Sequence, residues 1–160
     1  MPCYLFTFHA YQSWMPDRPQ GYVRRKKGVL PPDELIADMY KKQAKQSKIL
    51  FSEAIQKLLL KEFTVACRMQ SLCAHYFSTE PTHVHVLVSW KNDRSWSLIR
   101  NGIKSSFSRR LCKDISRRIW FSDGASRRHV KDQTHFNYLV TQYLPSHQGW
   151  KQQKGNPPFR

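Results

Sequence analysis

The stretch Pro81-Thr82-His83-Val84-His85-Val86-Leu87-Val88-Ser89-Trp90 has the composition of a β-strand, short and rich in β-branched valines. Side chains alternate across a strand, so His83, His85, Leu87 and Ser89 share one face, and Val84, Val86, Val88 and Trp90 share the other. Two imidazoles thus stand next to each other on a strand that otherwise reads as buried. A divalent metal is one good reason for that placement. The alternative is a pair of hydrogen-bonded histidines on an exposed face.

The chain around this strand is 160 residues long, with 27 Lys and Arg against 11 Asp and Glu, a net charge of +16. That length suits one domain, residues 1–160, with a single core. A hydrophobic content of 40% excludes a disordered chain. The positive field favours a polyanionic partner, nucleic acid first and an anionic membrane surface second. No apolar run approaches the roughly 20 residues of a spanning helix, and with nucleic acid preferred as the partner no membrane partner is expected. Met1-Pro2-Cys3 leads straight into a strand-like segment without the plan of a signal peptide, and a cytoplasmic protein is expected. Cys3, Cys67, Cys73 and Cys112 have neither zinc-knuckle spacing nor the look of a disulfide framework.

Cys3–His9 reads as a first strand reaching toward Trp14, with both faces partly apolar as in a central strand. Residues 16–32 read as a loop, punctuated by Pro16, Pro19, Gly21, Gly28, Pro31 and Pro32, and its basic run includes Arg24 and Arg25. Asp33 suits an N-cap for a short helical turn to Tyr40. Ser52–Phe63 shows a helical stripe of Ile55, Leu58, Leu59 and Phe63, after which residues 64–78 turn strand-like. The short link Ser78–Pro81 predicts an antiparallel hairpin with the His83 strand. Trp96–Ile115 reads as a helix with Ile99, Ile103, Phe107, Leu111 and Ile115 on its stripe, and Lys104 and Arg109 off it. Ile119–Phe121 reads as a short last strand. A third helix starts near Asp132 and runs to Tyr143, where Pro145 disturbs it. The tail from Gly149 reads as irregular. The order predicts an α+β fold: a ferredoxin-like antiparallel sheet with helices packed on one face.

The His83-Val84-His85 strand resembles the His-hydrophobic-His motif of the HUH single-strand DNA nucleases, and more narrowly the small single-tyrosine transposases, including the REP-associated ones. The resemblance extends to Thr7–Trp14, Gly21-Tyr22-Val23, the basic helix after the histidines, the Trp120/Gly124/Ser126/Arg127 stretch and a last helix carrying a tyrosine. It implies metal-dependent nicking and strand transfer on single-stranded or hairpin DNA through a covalent phosphotyrosine. It also implies Mg²⁺ or Mn²⁺ held by the His pair and a polar residue about one turn beyond the tyrosine, and often a homodimer. Thr82 stands where the family often has Asn.

Two tyrosines fit the role, because residues four apart on a helix are neighbours. Tyr143 with His147 is favoured, since Gln148-Gly149 follows as in the branch sharing the aromatic first strand. Tyr138 with Gln142 is the alternate, in the cleaner helical pattern. Arg24, Arg25, Lys104, Arg109, Arg127 and Arg128 are the candidate DNA-phosphate contacts. Trp14, Tyr22, Trp96, Trp120 and Trp150 are candidates for stacking on unpaired bases, while His9, His75, His129 and His135 read as structural or surface residues. A non-catalytic nucleic-acid-binding module on the same fold is the alternative, with a basic RNA-binding protein behind it.

Overall fold

A computed structural model describes residues 1–24 and 27–160, with Val23 and Arg24 described by backbone alone. The elements run β1 Cys3–His9, β2 Tyr22–Arg24, β3 Gly28–Leu30, α1 Glu34–Lys42, α2 Glu53–Met69, β4 Cys73–Glu80, β5 His83–Ser89, α3 Trp96–Asp114, β6 Ser126–His129, α4 Gln133–Tyr138 and β7 Lys151–Gln153. A π-helical turn over Leu139–Tyr143 continues α4.

Five strands form one antiparallel sheet in the order β6-β1-β5-β4-β7, and β2 pairs with β3 in a separate hairpin. Without β7, the path β1-α2-β4-β5-α3-β6 in this order is the split βαβ, ferredoxin-like arrangement. The His-bearing strand β5 is central, and Val84, Val86 and Val88 are fully buried on the face covered by α2 and α3. There they meet Phe6 and Phe8 of β1, Leu59 and Phe63 of α2, and Ile99, Ile103 and Phe107 of α3. Side-chain oxygens of Asp33, Ser52, Ser95 and Asp132 cap the four helices by accepting from backbone N–H groups three residues on.

The expected helices on one face are the two long ones. The last helix lies across the opposite face, where Leu139 and Leu144 close over Leu5, Tyr76 and Leu87. Burying two such leucines contributes roughly 1.5–3 kcal/mol each. This second, smaller core fixes the end of the chain against the imidazole-bearing face.

Several boundaries differ from the sequence expectation. Strand β1 ends at His9, and a turn with Gln12 at φ 60° follows. Helix α2 continues to Met69, because Ala66 and Cys67 extend its buried stripe while the β-branched Thr64 and Val65 face solvent. Ile119–Phe121 contributes only a bridge between Ala10 and Phe121, and the strand is β6, whose four side chains are all exposed. The tail contains β7. Both β6 and β7 are sheet edges, so they carry polar residues and show no apolar alternation.

Candidate active site

The sheet register builds the centre. His83 pairs across from His9, and His85 from Thr7, so these four side chains share a face. His147 arrives from the turn after the π-helical segment. The rings of His83 and His85 are 4.6 Å apart, His85 and His147 4.5 Å, and His83 and His147 5.5 Å. One nitrogen from each lies within 4.8 Å of the others. The Nδ1 atoms are already engaged: His85 with Thr7 Oγ1 at 2.7 Å, His83 with Thr82 Oγ1 at 2.9 Å, and His147 with the Leu144 carbonyl at 3.2 Å. A carbonyl only accepts, so Nδ1 of His147 carries a proton and donates, which leaves Nε2 as the nitrogen available to ligate. The two threonine hydroxyls can fix the same tautomer in the other rings, as the outer partners of metal-bound histidines do. Nε2 of His85 is buried without a partner among the described residues. An orphaned buried nitrogen costs about 1–3 kcal/mol, and a cation held by the three histidines would satisfy it.

Burial, followed by the charge of neighbouring imidazoles, pushes His83 down to about 4 and His85 to about 2. His9 falls to about 4 by burial and by its proximity to His83 and Arg18. These rings therefore remain neutral, and able to ligate, well into acid. The linkage has a definite sign. Ordinary histidines of the unfolded chain protonate near 6.5 while the native rings do not, so acidification pulls toward unfolding. The unfolding free energy of the metal-free protein, read from urea denaturation, is expected to be steady above pH 6.5 and to fall as pH drops to 4, by about 1 kcal/mol per pH unit for each of His9, His83 and His85, with the urea midpoint falling in step. A midpoint independent of pH across that window would contradict the burial of neutral His9, His83 and His85.

Tyr143 ends the π-helical turn, in which the Leu144 N–H donates to the Leu139 carbonyl at 2.9 Å. Pro145 has no N–H, so the helix stops there and a turn carries the chain to His147. The Tyr143 ring lies 5.4 Å from that of His85 and 5.2 Å from that of His147. The distortion expected from Pro145 thus accompanies the presentation of Tyr143, π-bulges being frequent at functional sites. Burial raises the pKa of the Tyr143 phenol, making it a weaker acid, and the Arg128 guanidinium, 6.0 Å from its ring, works against that rise.

The segment after His147 is pinned to the sheet. The Gly149 N–H donates to the Thr79 carbonyl, and the Thr79 N–H to the Trp150 carbonyl. Gln56, buried on α2, accepts from the Thr79 hydroxyl at 2.8 Å and from the Trp150 N–H at 3.2 Å. A Cβ on Gly149 would collide with the Thr79 carbonyl and hydroxyl and with Oε1 of Gln56. Gly149→Ala is therefore expected to destabilise the fold by about 1–3 kcal/mol and to weaken metal binding by displacing His147. Urea denaturation and a metal titration check both, and an unchanged variant would show that the close approach is dispensable.

The other candidates are scattered. Tyr138 is 45% exposed and Gln142 is exposed, outside the triad. Lys104 gives its ammonium to the carbonyls of Ser122, at 2.7 Å, and Gly124, at 3.0 Å, so it braces that loop. Arg109 is exposed on α3, behind the sheet as seen from the histidines. Arg127 stacks over Trp96, 3.8 Å from the ring centre, on that same side. Among the described side chains of this set, Arg128 is the one that faces the site, 6.0 Å from the centre of the Tyr143 ring. Arg25 lies outside the described residues, as does the Arg24 side chain. Of the stacking candidates, Trp14 lines the groove beside the histidines, and Trp120 is buried in the core. His75 is bonded to Ser89 Oγ at 2.7 Å, away from the triad. His9, read as structural, sits 5.7 Å from His83 with Nδ1 buried and unpartnered. Its proximity depends on strand register, which no local spacing reveals.

No family model and no curated protein matches the chain. Among solved structures it is similar to a REP-associated tyrosine transposase bound to a REP hairpin, with 11% identity, 87% of this chain and 62% of that chain covered, and a TM-score of 0.49. It is also similar to a transposase candidate from Deinococcus radiodurans R1, with 12% identity, 92% and 91% covered, and a TM-score of 0.48. Both likenesses concern the fold, and this chain spans about three fifths of the length of the first. No helix among the described residues is long and apolar enough to cross a membrane. In its His-Val-His strand and helix-borne tyrosine the chain resembles the HUH single-tyrosine transposases.

Proposed function

We propose that the protein is a metal-dependent enzyme that nicks single-stranded DNA and transfers the strand through Tyr143. One observation carries this reading: three imidazoles with engaged Nδ1 atoms converge within 4.8 Å, and a tyrosine ring lies 5.2–5.4 Å from two of them. His83, His85 and His147 would hold the ion. Three neutral nitrogens suit Mn²⁺ or another transition ion better than Mg²⁺, which prefers oxygen. When bound, the ion supplies Lewis-acid polarisation of a phosphate oxygen.

The chain's own residues supply the rest. The Tyr143 oxygen attacks phosphorus, the phosphorus–oxygen bond to the departing strand breaks, and the phenol's proton ends on the released hydroxyl. The phosphotyrosine conserves the phosphodiester for rejoining to another end, which hydrolysis by water would not. Arg128 favours the phenolate and can pair with a phosphate oxygen. The net charge of +16 draws the strand in. All four site groups come from one chain, so a homodimer is not required to complete the centre. The preference for a hairpin follows the family resemblance. The test is incubation with labelled single-stranded DNA and Mn²⁺. A covalent adduct that survives denaturation supports the reading, and salt-sensitive binding with no adduct under any divalent ion would leave a binding module.

A further inference from the structure

The histidines and Tyr143 line an open groove of about 1110 Å³. That is at or above the upper end of the roughly 300–1,000 Å³ typical of small-molecule pockets. Away from the triad it is lined by Tyr11, Gln12, Trp14, Tyr40, Gln43 and Asp123, among others. No lysine or arginine lines it among the described residues, although the chain carries 27 of them. A channel following a phosphate backbone would be expected to place cations on its walls. This one offers aromatic faces, amides and a carboxylate, and the carboxylate repels phosphate while accepting hydrogen bonds from base N–H groups. The cations stand beside the lining rings: Arg18 is 3.8 Å from the centre of Trp14, Arg117 5.8 Å from that of Tyr11, and Arg128 6.0 Å from that of Tyr143.

We infer that the groove binds unpaired bases of the DNA strand, turned inward against Tyr40 and its neighbours, with the phosphates left at the rim. This rests on the proposed single-strand substrate and adds the strand's orientation. Tyr40 is the ring best placed to stack. It lines the groove, is 53% exposed, and its hydroxyl makes no hydrogen bond among the described residues. Trp14 and Tyr11 are partly occupied, by His9 at 4.3 Å and by the Lys45 N–H, which donates to the Tyr11 hydroxyl at 3.1 Å.

The experiment is anisotropy titration of the full chain with a labelled single-stranded oligonucleotide. One abasic site is walked along the strand, and each titration is repeated across salt concentrations. Inward bases predict that one or two adjacent abasic positions weaken binding about tenfold. Tyr40→Ala should weaken the intact strand by about the same factor, erase the abasic sensitivity, and leave the slope of log affinity against log salt unchanged. Arg128→Gln should lower that slope by about 0.7, as loss of one single-strand phosphate contact does. Tyr40→Trp should retain both affinity and abasic sensitivity, separating stacking from folding. Salt-dependent binding that tolerates abasic sites everywhere would overturn the inward orientation and leave the proposed substrate standing. Absence of any single-strand binding by the unmodified chain would overturn both.

Discussion

Tyr143→Phe is expected to abolish covalent capture of DNA, lowering adduct formation by on the order of 10³-fold or more, because it removes the attacking oxygen and nothing else. The ring stays, with its edge-on contacts to His85 and His147 at 5.4 and 5.2 Å, so folding and the metal centre should be preserved. Affinity for single-stranded DNA should change by less than about twofold, since that term is mostly electrostatic. Tyr138→Phe is the control. Its ring is 6.4 Å from that of Tyr143 but half in solvent and outside the groove. That variant should form adduct at the normal rate. Denaturing gel electrophoresis of labelled DNA reads both. Adduct kept in Tyr143→Phe and lost in Tyr138→Phe would reassign the nucleophile and bring Gln142 back as the neighbouring candidate ligand.

His85→Ala is expected to remove the response to divalent metal. His85 is the most buried of the three, 3% exposed, and its Nε2 has no other partner. In the unmodified protein, Mn²⁺ at a hundred times its dissociation constant should stabilise the fold by about 2.7 kcal/mol, and chelation should reverse the gain. In His85→Ala the melting temperature should be indifferent to Mn²⁺ and the affinity at least 100-fold weaker. Thr7→Val, which removes the 2.7 Å partner of Nδ1, should give an intermediate loss of about 10–100-fold. These are binding measurements, so they hold whether or not strand transfer is observed. An unaltered Mn²⁺ response in His85→Ala would place the ion elsewhere.

The electrostatics at the centre run against stability. His9, His83 and His85 are gathered where burial resists their protonation, and among the described residues Nε2 of His85 and Nδ1 of His9 are left without a partner. A purely structural site would be expected to replace them with leucine or phenylalanine. That cost is intelligible if a cation is bound, and the acid sensitivity of the metal-free protein follows from the same arrangement.

By itself the sequence determined the parts with a short period. Alternation in residues 81–90 set His83 and His85 on one face of a central strand, and capping residues and apolar stripes located the helices. Tyr143 and His147 were legible as a pair by their spacing, and the basic composition pointed to a polyanion. Only the tertiary structure brought Tyr143, rather than Tyr138, beside the histidines. That placement depends on the π-helical turn, on Pro145 ending the ladder, and on Gly149 docking against Thr79 and Gln56, residues 70 and 93 positions away. The same holds for Lys104 bracing a loop, for His9 beside His83, and for the edge strands β6 and β7. Each is a contact between segments far apart in the chain, where burial and strand register, which local pattern does not encode, set the outcome.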